Sequence, residues 1–477
     1  MPDVLAPTAA LHFPPIIQGG MGIGVSNWAL ARSVSMAGHL GVVSGTAIDT
    51  VFVRRLQDGD PEGHTRRAMA HFPMPGVAEA ARSRYFIEGG REAGTPYKML
   101  PMYRKQMTRA RIELAMLSAF VEVWLAKEGH DNPVGMNLLT KVQMPNLALL
   151  YGAMLAGVDA ILMGAGIPRD IPGALDALAT HQPAVLKLDV ERQPRGEETP
   201  LTLTPADHWE ATPAPLHRPA FLAIVSSHSL ATMMARKASG RVDGFIVEGP
   251  TAGGHNAPPR GAMKLDESGE PIYGERDAVN LDVLCELGLP FWLAGSVGHP
   301  DRLKEALSSG AQGIQVGTLF AYCDESGFTA DVKRSVLDSV VRGELVIRTD
   351  PRASPTGYPF KVVQLSENEA PPPARERVCD IGGLRVAYQT PDGKVGYRCP
   401  AEPVEAYVQK GGAIEDTVGR ECLCNALLSV IGQPQVRTSG AVEPPLITSG
   451  DDLAAMGQFL EGRTSYSAQA VLDWLVA

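Results

Sequence analysis

The sequence predicts an α/β protein built on a parallel (β/α)8 barrel, and three observations carry that expectation. Short, wholly apolar runs alternate with helical patterns over most of the chain, as strands buried on both faces of a parallel sheet do. Many of these runs end directly in glycine, where barrel enzymes keep the loops that hold ligands. The last two runs, Phe291-Trp-Leu-Ala294 and Gly313-Ile-Gln-Val316, lead into Gly295-Ser296-Val297-Gly298 and Gly317-Thr318. Backbone N–H groups at such helix starts, with the positive end of the helix dipole, suit a phosphate. An open doubly wound sheet is the competing architecture; the strand count and the paired terminal Gly loops disfavour it.

The totals fit a globular enzyme. The chain has 477 residues, 44% hydrophobic and 20% charged, an ordinary balance. Lys+Arg 43 against Asp+Glu 53 gives a net charge of -10, which argues against a nucleic-acid surface or an anionic-membrane anchor. The N-terminal stretch lacks the basic start and apolar core of a signal peptide. No apolar run approaches the ~20 residues that span a bilayer. A cytoplasmic enzyme is the expectation, with a small-molecule substrate, no nucleic-acid or membrane partner, and homo-oligomerisation left open.

Taken in order, Pro14 to Gln18 is the first buried strand. Gly19-Gly20-Met21-Gly22-Ile23-Gly24 follows, with Ser26 or Asn27 able to cap a helix from Trp28 to Ala37. The segment contains a form of Gly-x-Gly-x-x-Gly but lacks the acidic residue that a dinucleotide fold requires. It is read as a loop lying flat against a ring system. Leu40 to Thr46 is the second strand and its loop. Residues 50 to 130 form a helical insertion over one side of the barrel mouth, periodic from Gln106 to Lys127; its Met and aromatic stripe is core. Strands then resume at Pro133–Leu138, Asp159–Met163, Ala184–Asp189, Phe221–Val225 and Asp243–Val247. That makes nine candidates for eight places. Val185–Asp189 is the one to remove, or to pair with Leu201–Thr204 as an inserted hairpin. The alternation stops after Phe320: a helix from Thr329 to Arg342, a turn-rich stretch from Ala353 to Lys361 and a Pro-rich linker from Glu367 to Arg375 follow. The expected division is a barrel over 1–364 and a C-terminal extension over 365–477.

The candidate chemistry centres on Gly249-Pro-Thr-Ala-Gly253-Gly254-His255. A histidine after such a turn points off the C-terminal edge of the sheet. Its imidazole, titrating near neutrality, is suited to take a proton or to hydrogen-bond an oxyanion. His39, His228 and His299 fall at element junctions and are expected to be structural or exposed. No Gly-x-Ser-x-Gly elbow or His-Glu-x-x-His is present. With Gly20-Met21-Gly22, Asn137 and Gly253-Gly254 on the same rim as two phosphate loops, the site reads as one phosphate plus one flat ring. FMN fits best.

The stretches Ile16-Ile-Gln-Gly-Gly-Met21, Val134-Gly-Met-Asn137, Ala252-Gly-Gly-His255, Ala294-Gly-Ser-Val-Gly298 and Gln315-Val-Gly-Thr318 resemble the FMN-dependent nitronate monooxygenase family, also called 2-nitropropane dioxygenases. Flavin-dependent enoyl-acyl-carrier-protein reductases share those motifs and their TIM barrel. The resemblance runs over about residues 14 to 364 and includes Ser354-Pro-Thr-Gly357. It implies that Gly20, Met21 and Gly22 lie against the isoalloxazine, that Asn137 bonds its polar edge, and that Gly254, Gly295, Ser296, Gly298, Gln315, Gly317 and Thr318 hold the ribityl phosphate end. It makes His255 the catalytic residue and Lys187 and Glu248 further flavin contacts. The implied reaction is oxidation of alkyl nitronates with dioxygen. The alternatives are an NAD(P)H-dependent enoyl reductase and a non-catalytic flavin-binding subunit. Asn256-Ala-Pro-Pro-Arg260 after the histidine departs from the family's pattern, as does the inserted stretch 191–218.

Cys379, Cys399, Cys422 and Cys424 cluster in the extension. Their spacing includes no Cys-x-x-Cys, and Cys-x-Cys is an awkward bite for tetrahedral zinc. A reduced, partly buried set with no metal is expected.

Overall fold

The computed structural model describes residues 13–211, 213–365, 375–453 and 455–477. The N-terminal stretch and, apart from Arg375, the Pro-rich linker lie outside them. Eight parallel strands close into a barrel: β1 (Ile16–Gln18), β2 (Leu40–Ser44), β3 (Val134–Leu139), β4 (Ala160–Gly164), β5 (Ala220–Val225), β6 (Gly244–Glu248), β7 (Phe291–Ala294) and β8 (Gly313–Val316). Closure is made by β1 against β8, with Ile16 opposite Ile314 and Gln18 opposite Val316. This is a TIM barrel, and the closing pair rules out the open doubly wound sheet. Inward-facing Ile17, Val42, Leu162, Leu222, Ile246 and Trp292 form its packed interior.

The ninth candidate strand leaves the barrel as the sequence suggests. Ala184–Leu188 pairs antiparallel with Thr199–Leu203. Its Ala184, Leu186 and Leu188 are buried while Val185 and Lys187 face outward, the alternation of a strand with one wet face.

The helical insertion comprises Ile48–Gln57, His64–Met69, Pro75–Tyr85 and Arg109–Lys127. The last of these packs against the helices Trp28–Met36 and Asn146–Leu155, in the place of the barrel helix that joins β2 to β3. The insertion's longest helix therefore takes a flank position, while other residues of the insertion line the cavity at one side of the mouth. Leu114 to Val123 are buried without a break, so this helix needs neighbours on all sides and sits on the barrel's flank. Its Met and aromatic residues are core, as expected. The connector ahead of it, with Met99, Leu100 and Tyr103, reaches the cavity, as do Asp49 and Thr50 of the first insertion helix and Arg111 of the last.

Beyond β8, Thr329 caps the helix Ala330–Arg342, its hydroxyl accepting from the Val332 N–H. Val346–Asp350 then pairs antiparallel with Phe360–Gln364, a hairpin that the turn-rich sequence concealed. The extension packs on the barrel along its length. Its hairpin Val386–Gln389 and Val395–Arg398 takes Val190–Glu191 as a third strand. Its final helix, Ala468–Leu475, lies on Trp28–Met36 and Pro300–Ser308. Leu428, Phe459, Leu460 and Leu472 belong to the same apolar core as the barrel helices.

Candidate active site

One cavity opens at the C-terminal ends of the strands. Asn137, Gly164, Glu248, Ala294 and Gln315 line it from β3, β4, β6, β7 and β8, with the loops at Gly19–Gly22, Ala252–His255, Gly295–Val297 and Gly317–Thr318. Its empty space, counted out to the open mouth, is about 2130 Å3. Farther out, apolar surface comes from Leu100 of the insertion, Leu149 and Phe328 of the barrel, and Leu384 and Leu427 of the extension.

The first loop is stapled from below. Gln18 accepts from the Val42 N–H at 3.0 Å and donates to Ser26 Oγ at 2.8 Å. Ser26 Oγ in turn accepts from the Met21 N–H at 2.9 Å and donates to Gly19 O at 2.9 Å. Asn27 does the capping, accepting from the Leu30 N–H at 2.9 Å. Gly20 is required by its neighbour: a Cβ there would lie 2.3 Å from Asn137 Cβ. The Asn137 amide donates to Leu162 O at 3.3 Å, which fixes its plane at the cavity wall.

His255 is clamped by the strand Phe360–Gln364. It forms a bridge with Phe360, whose ring meets its imidazole edge-on at 4.8 Å, while the Lys361 N–H donates to Gly254 O at 3.0 Å. Its Nε2 sits 2.6 Å from Ser354 Oγ. The ring keeps an edge towards the cavity, yet protein surrounds it on nearly every side. Burial, and then the positive charge of Lys141, hold its pKa down at about 4. The imidazole is accordingly neutral at neutral pH. Lys141, its own pKa lowered by burial, stands 4.1 Å over the Tyr358 ring. Glu248, at the end of β6, faces the same cavity, and burial alone raises its carboxyl to about 7.

Two expected contacts are corrected. Lys187 lies on the outer face of the inserted hairpin, half exposed and paired with Glu198 at 3.1 Å; the antiparallel pairing takes its strand out of the barrel and away from the cavity. Gly298 is absent from the cavity wall. It lies under the extension instead, where an added Cβ would meet Asp452 Oδ2 at 3.1 Å. Gly20, Met21, Gly22, Asn137, Glu248, Gly254, His255, Gly295, Ser296, Gln315, Gly317 and Thr318 all line the cavity. Asn256 and Arg260 are engaged elsewhere: the Asn256 amide donates to Ala252 O at 2.9 Å and Arg260 to Ser229 Oγ at 3.1 Å.

Sequence reasoning missed three groups at the cavity. Thr448, Ser449, Gly450 and Asp452 reach it from the extension. Lys141, though, announces itself only through its charge on His255. Asp49, Tyr103 and Arg111 form a buried network in the outer wall. Asp49 accepts from Tyr103 Oη at 2.5 Å and pairs with Arg111, which lies 3.9 Å over the Tyr103 ring. These residues are too far apart in sequence for any motif to join them.

The six cysteines are free. Cys379, Cys399, Cys422 and Cys424 surround a second, small cavity. A hydrogen bond between Cys379 and Cys399 lowers the first thiol's pKa and raises the second's. Among the described residues, no group of three or more His, Cys, Asp or Glu side chains is arranged to hold a metal ion. No helix among them is long and apolar enough to cross a membrane.

A barrel with a Gly-rich rim and a buried histidine defines a class of ligand-binding (β/α)8 proteins. The comparisons narrow it. The nitronate monooxygenase family model matches residues 202–354, a span that runs from before β5 to Ser354 and includes His255. Over these residues the chain is similar to the nitronate monooxygenase family. A probable nitronate monooxygenase of Bacillus subtilis (strain 168) is 34% identical over 98 residues, 20% of this chain and 26% of the relative. One from Staphylococcus haemolyticus (strain JCSC1435) is 31% identical over 99 residues, with the same shares. The aligned stretch thus spans about a quarter of the length of the curated relatives. Among solved structures, FabK from Thermotoga maritima aligns at a TM-score of 0.47 and 15% identity, covering 97% of this chain and 91% of that one. A nitroalkane oxidase from Streptomyces ansochromogenes aligns at 0.45 and 14%, covering 97% and 94%. The fold stands on the strand pairing and takes nothing from these last two.

Proposed function

We propose that the chain is an FMN-dependent oxidoreductase that oxidises alkyl nitronates with dioxygen. The observation that carries the reading is His255, neutral and clamped, in one cavity with the Gly-rich loops of β1, β7 and β8. The residues suit FMN. Ser296 Oγ and Gln315 Oε1 are buried at the rim without partners, as groups awaiting a polar ligand are. Met21 and Val297 offer apolar surface beside them. Ser296, Gly317 and Thr318 would hold the phosphate; Gly20–Gly22 and Asn137 would hold the ring. Bound FMN would supply the electron acceptor and pass electrons on to dioxygen.

The chain's own part is positioning and proton control. A nitronate has already lost its α-proton, so His255 need only orient the nitro oxygens. With a neutral nitroalkane, its unprotonated imidazole is free to accept the proton. Ser354 Oγ, 2.6 Å from Nε2, fixes the ring's orientation. Lys141 adds a positive charge close enough to act on His255. The test is turnover of nitronate by His255→Asn with flavin content measured beside it. A variant that keeps both flavin and full activity would remove His255 from the reaction.

A second reading, an NAD(P)H-dependent reductase of enoyl thioesters, draws support from the apolar outer wall. Leu100, Leu149, Phe328, Leu384 and Leu427 offer more greasy surface than a small nitronate uses. Anaerobic NAD(P)H separates the two: rapid bleaching of the flavin would favour the reductase.

A further inference from the structure

The extension reaches the rim of the barrel and lies across the loops that follow β6, β7 and β8. The Gly254 N–H donates to Thr448 Oγ1 at 2.9 Å, the Gly450 N–H to Thr318 Oγ1 at 3.2 Å, and the Asp451 N–H to Thr251 O at 3.0 Å. Asp451 also pairs with the buried Lys361 at 2.7 Å. The approach is backbone against backbone: a Cβ on Gly253 would lie 2.8 Å from the Gly450 nitrogen. Gly253 therefore serves the extension, whatever its loop does for a ligand. Within this strap Ser449 is 5% exposed and belongs to the cavity wall; its hydroxyl makes no hydrogen bond of good geometry, the nearby Tyr322 hydroxyl being its one candidate partner among the described residues. The Tyr322 hydroxyl is near it and is likewise without a partner in acceptable geometry. Ser296 Oγ, on the β7 loop, is the other unpartnered hydroxyl of the wall.

A buried hydroxyl left unpaired is costly, and rotation about one side-chain bond re-aims it. We propose that the extension completes the phosphate end of the cofactor site, with the Ser449 hydroxyl donating to the phosphate beside Ser296, Gly317 and Thr318. This rests on the FMN reading above. Two hydroxyls and the backbone N–H groups of the Gly317–Thr318 loop are neutral donors of the kind a phosphate takes. Asp452 borders the same space, and burial raises its pKa.

The experiment titrates the full chain, freed of bound flavin, with FMN and with riboflavin, and follows quenching of flavin fluorescence. Wild type, Ser449→Ala and Tyr322→Phe are compared, with thermal melts to show that each is folded. Ser449→Ala is expected to weaken FMN about tenfold and to leave riboflavin within about twofold, since only FMN carries the charged acceptor. Tyr322→Phe should leave both unchanged. Three results would overturn the proposal alone: an unchanged FMN affinity in Ser449→Ala, equal losses for the two flavins, or the same loss in Tyr322→Phe, which would make Ser449 a partner of that tyrosine. Wild-type protein that binds neither flavin would overturn the FMN reading and this proposal together.

Discussion

His255 and Glu248 face one cavity with pKa values displaced in opposite directions, about 4 and about 7, and burial dominates both. The displacement separates their roles. His255 stays uncharged over the whole working range, so the pH–rate profile of nitroalkane oxidation should show no limb from an imidazole above pH 5. A limb near pH 7 is expected instead from Glu248, and Glu248→Gln should abolish it; its survival in that variant would assign the limb to another group. Stability carries the same signature. The folded pKa of His255 lies below its unfolded value of 6.5, so its contribution is present above pH 6.5 and lost as pH falls towards 4. The unfolding free energy from urea titrations should therefore drop more steeply over that window in wild type than in His255→Asn, by up to about 3 kcal/mol. Parallel curves would mean that the imidazole is better solvated than its surroundings indicate. Lys187 is the opposite case. The resemblance made Lys187 a flavin contact, but its run alternates buried and exposed, and period two turned it outward. Lys187→Ala should leave flavin content and turnover within about twofold of wild type, as a surface substitution does.

At the level of elements, the barrel was legible because its signals are local. Each strand is an apolar run, each loop follows with glycine, and Asn27 caps its helix by a side chain three residues away. The surplus strand was legible too, since Leu201–Thr204 stood ready as its antiparallel partner. The flank helix Arg109–Lys127 was seen, but its place was not. Periodicity tells that a helix has a buried face; it does not tell which neighbour covers it. The same limit hid the Asp49–Tyr103–Arg111 network, whose members meet only when the insertion folds back over β2. Arg111→Met should destabilise the protein by about 3–5 kcal/mol, because it strands the buried Asp49 carboxylate without its cation. Chemical denaturation measures this, and a loss below about 1 kcal/mol would show that Tyr103 and water suffice for Asp49.

For the whole molecule, the barrel and the extension share one core and one cavity. The sequence marked residues beyond 364 as a tail because the alternation of strands and helices ends there. Nothing local could say that Ser449–Gly450 would come to rest on Gly253, or that Gly298 would face Asp452 instead of a ligand. These contacts join residues about 150 to 200 positions apart, and only the folded chain brings them together. They also account for glycines that looked like ligand contacts. The central claim is that this shared cavity holds FMN and oxidises nitronates through His255. It is tested most directly by the visible spectrum and steady-state nitronate turnover of purified wild type and His255→Asn. The account predicts a flavin spectrum in both, with kcat/KM on nitroalkane falling about a hundredfold or more in the variant. A wild-type protein that cannot bind flavin, or a variant that turns over as fast as wild type, would contradict it.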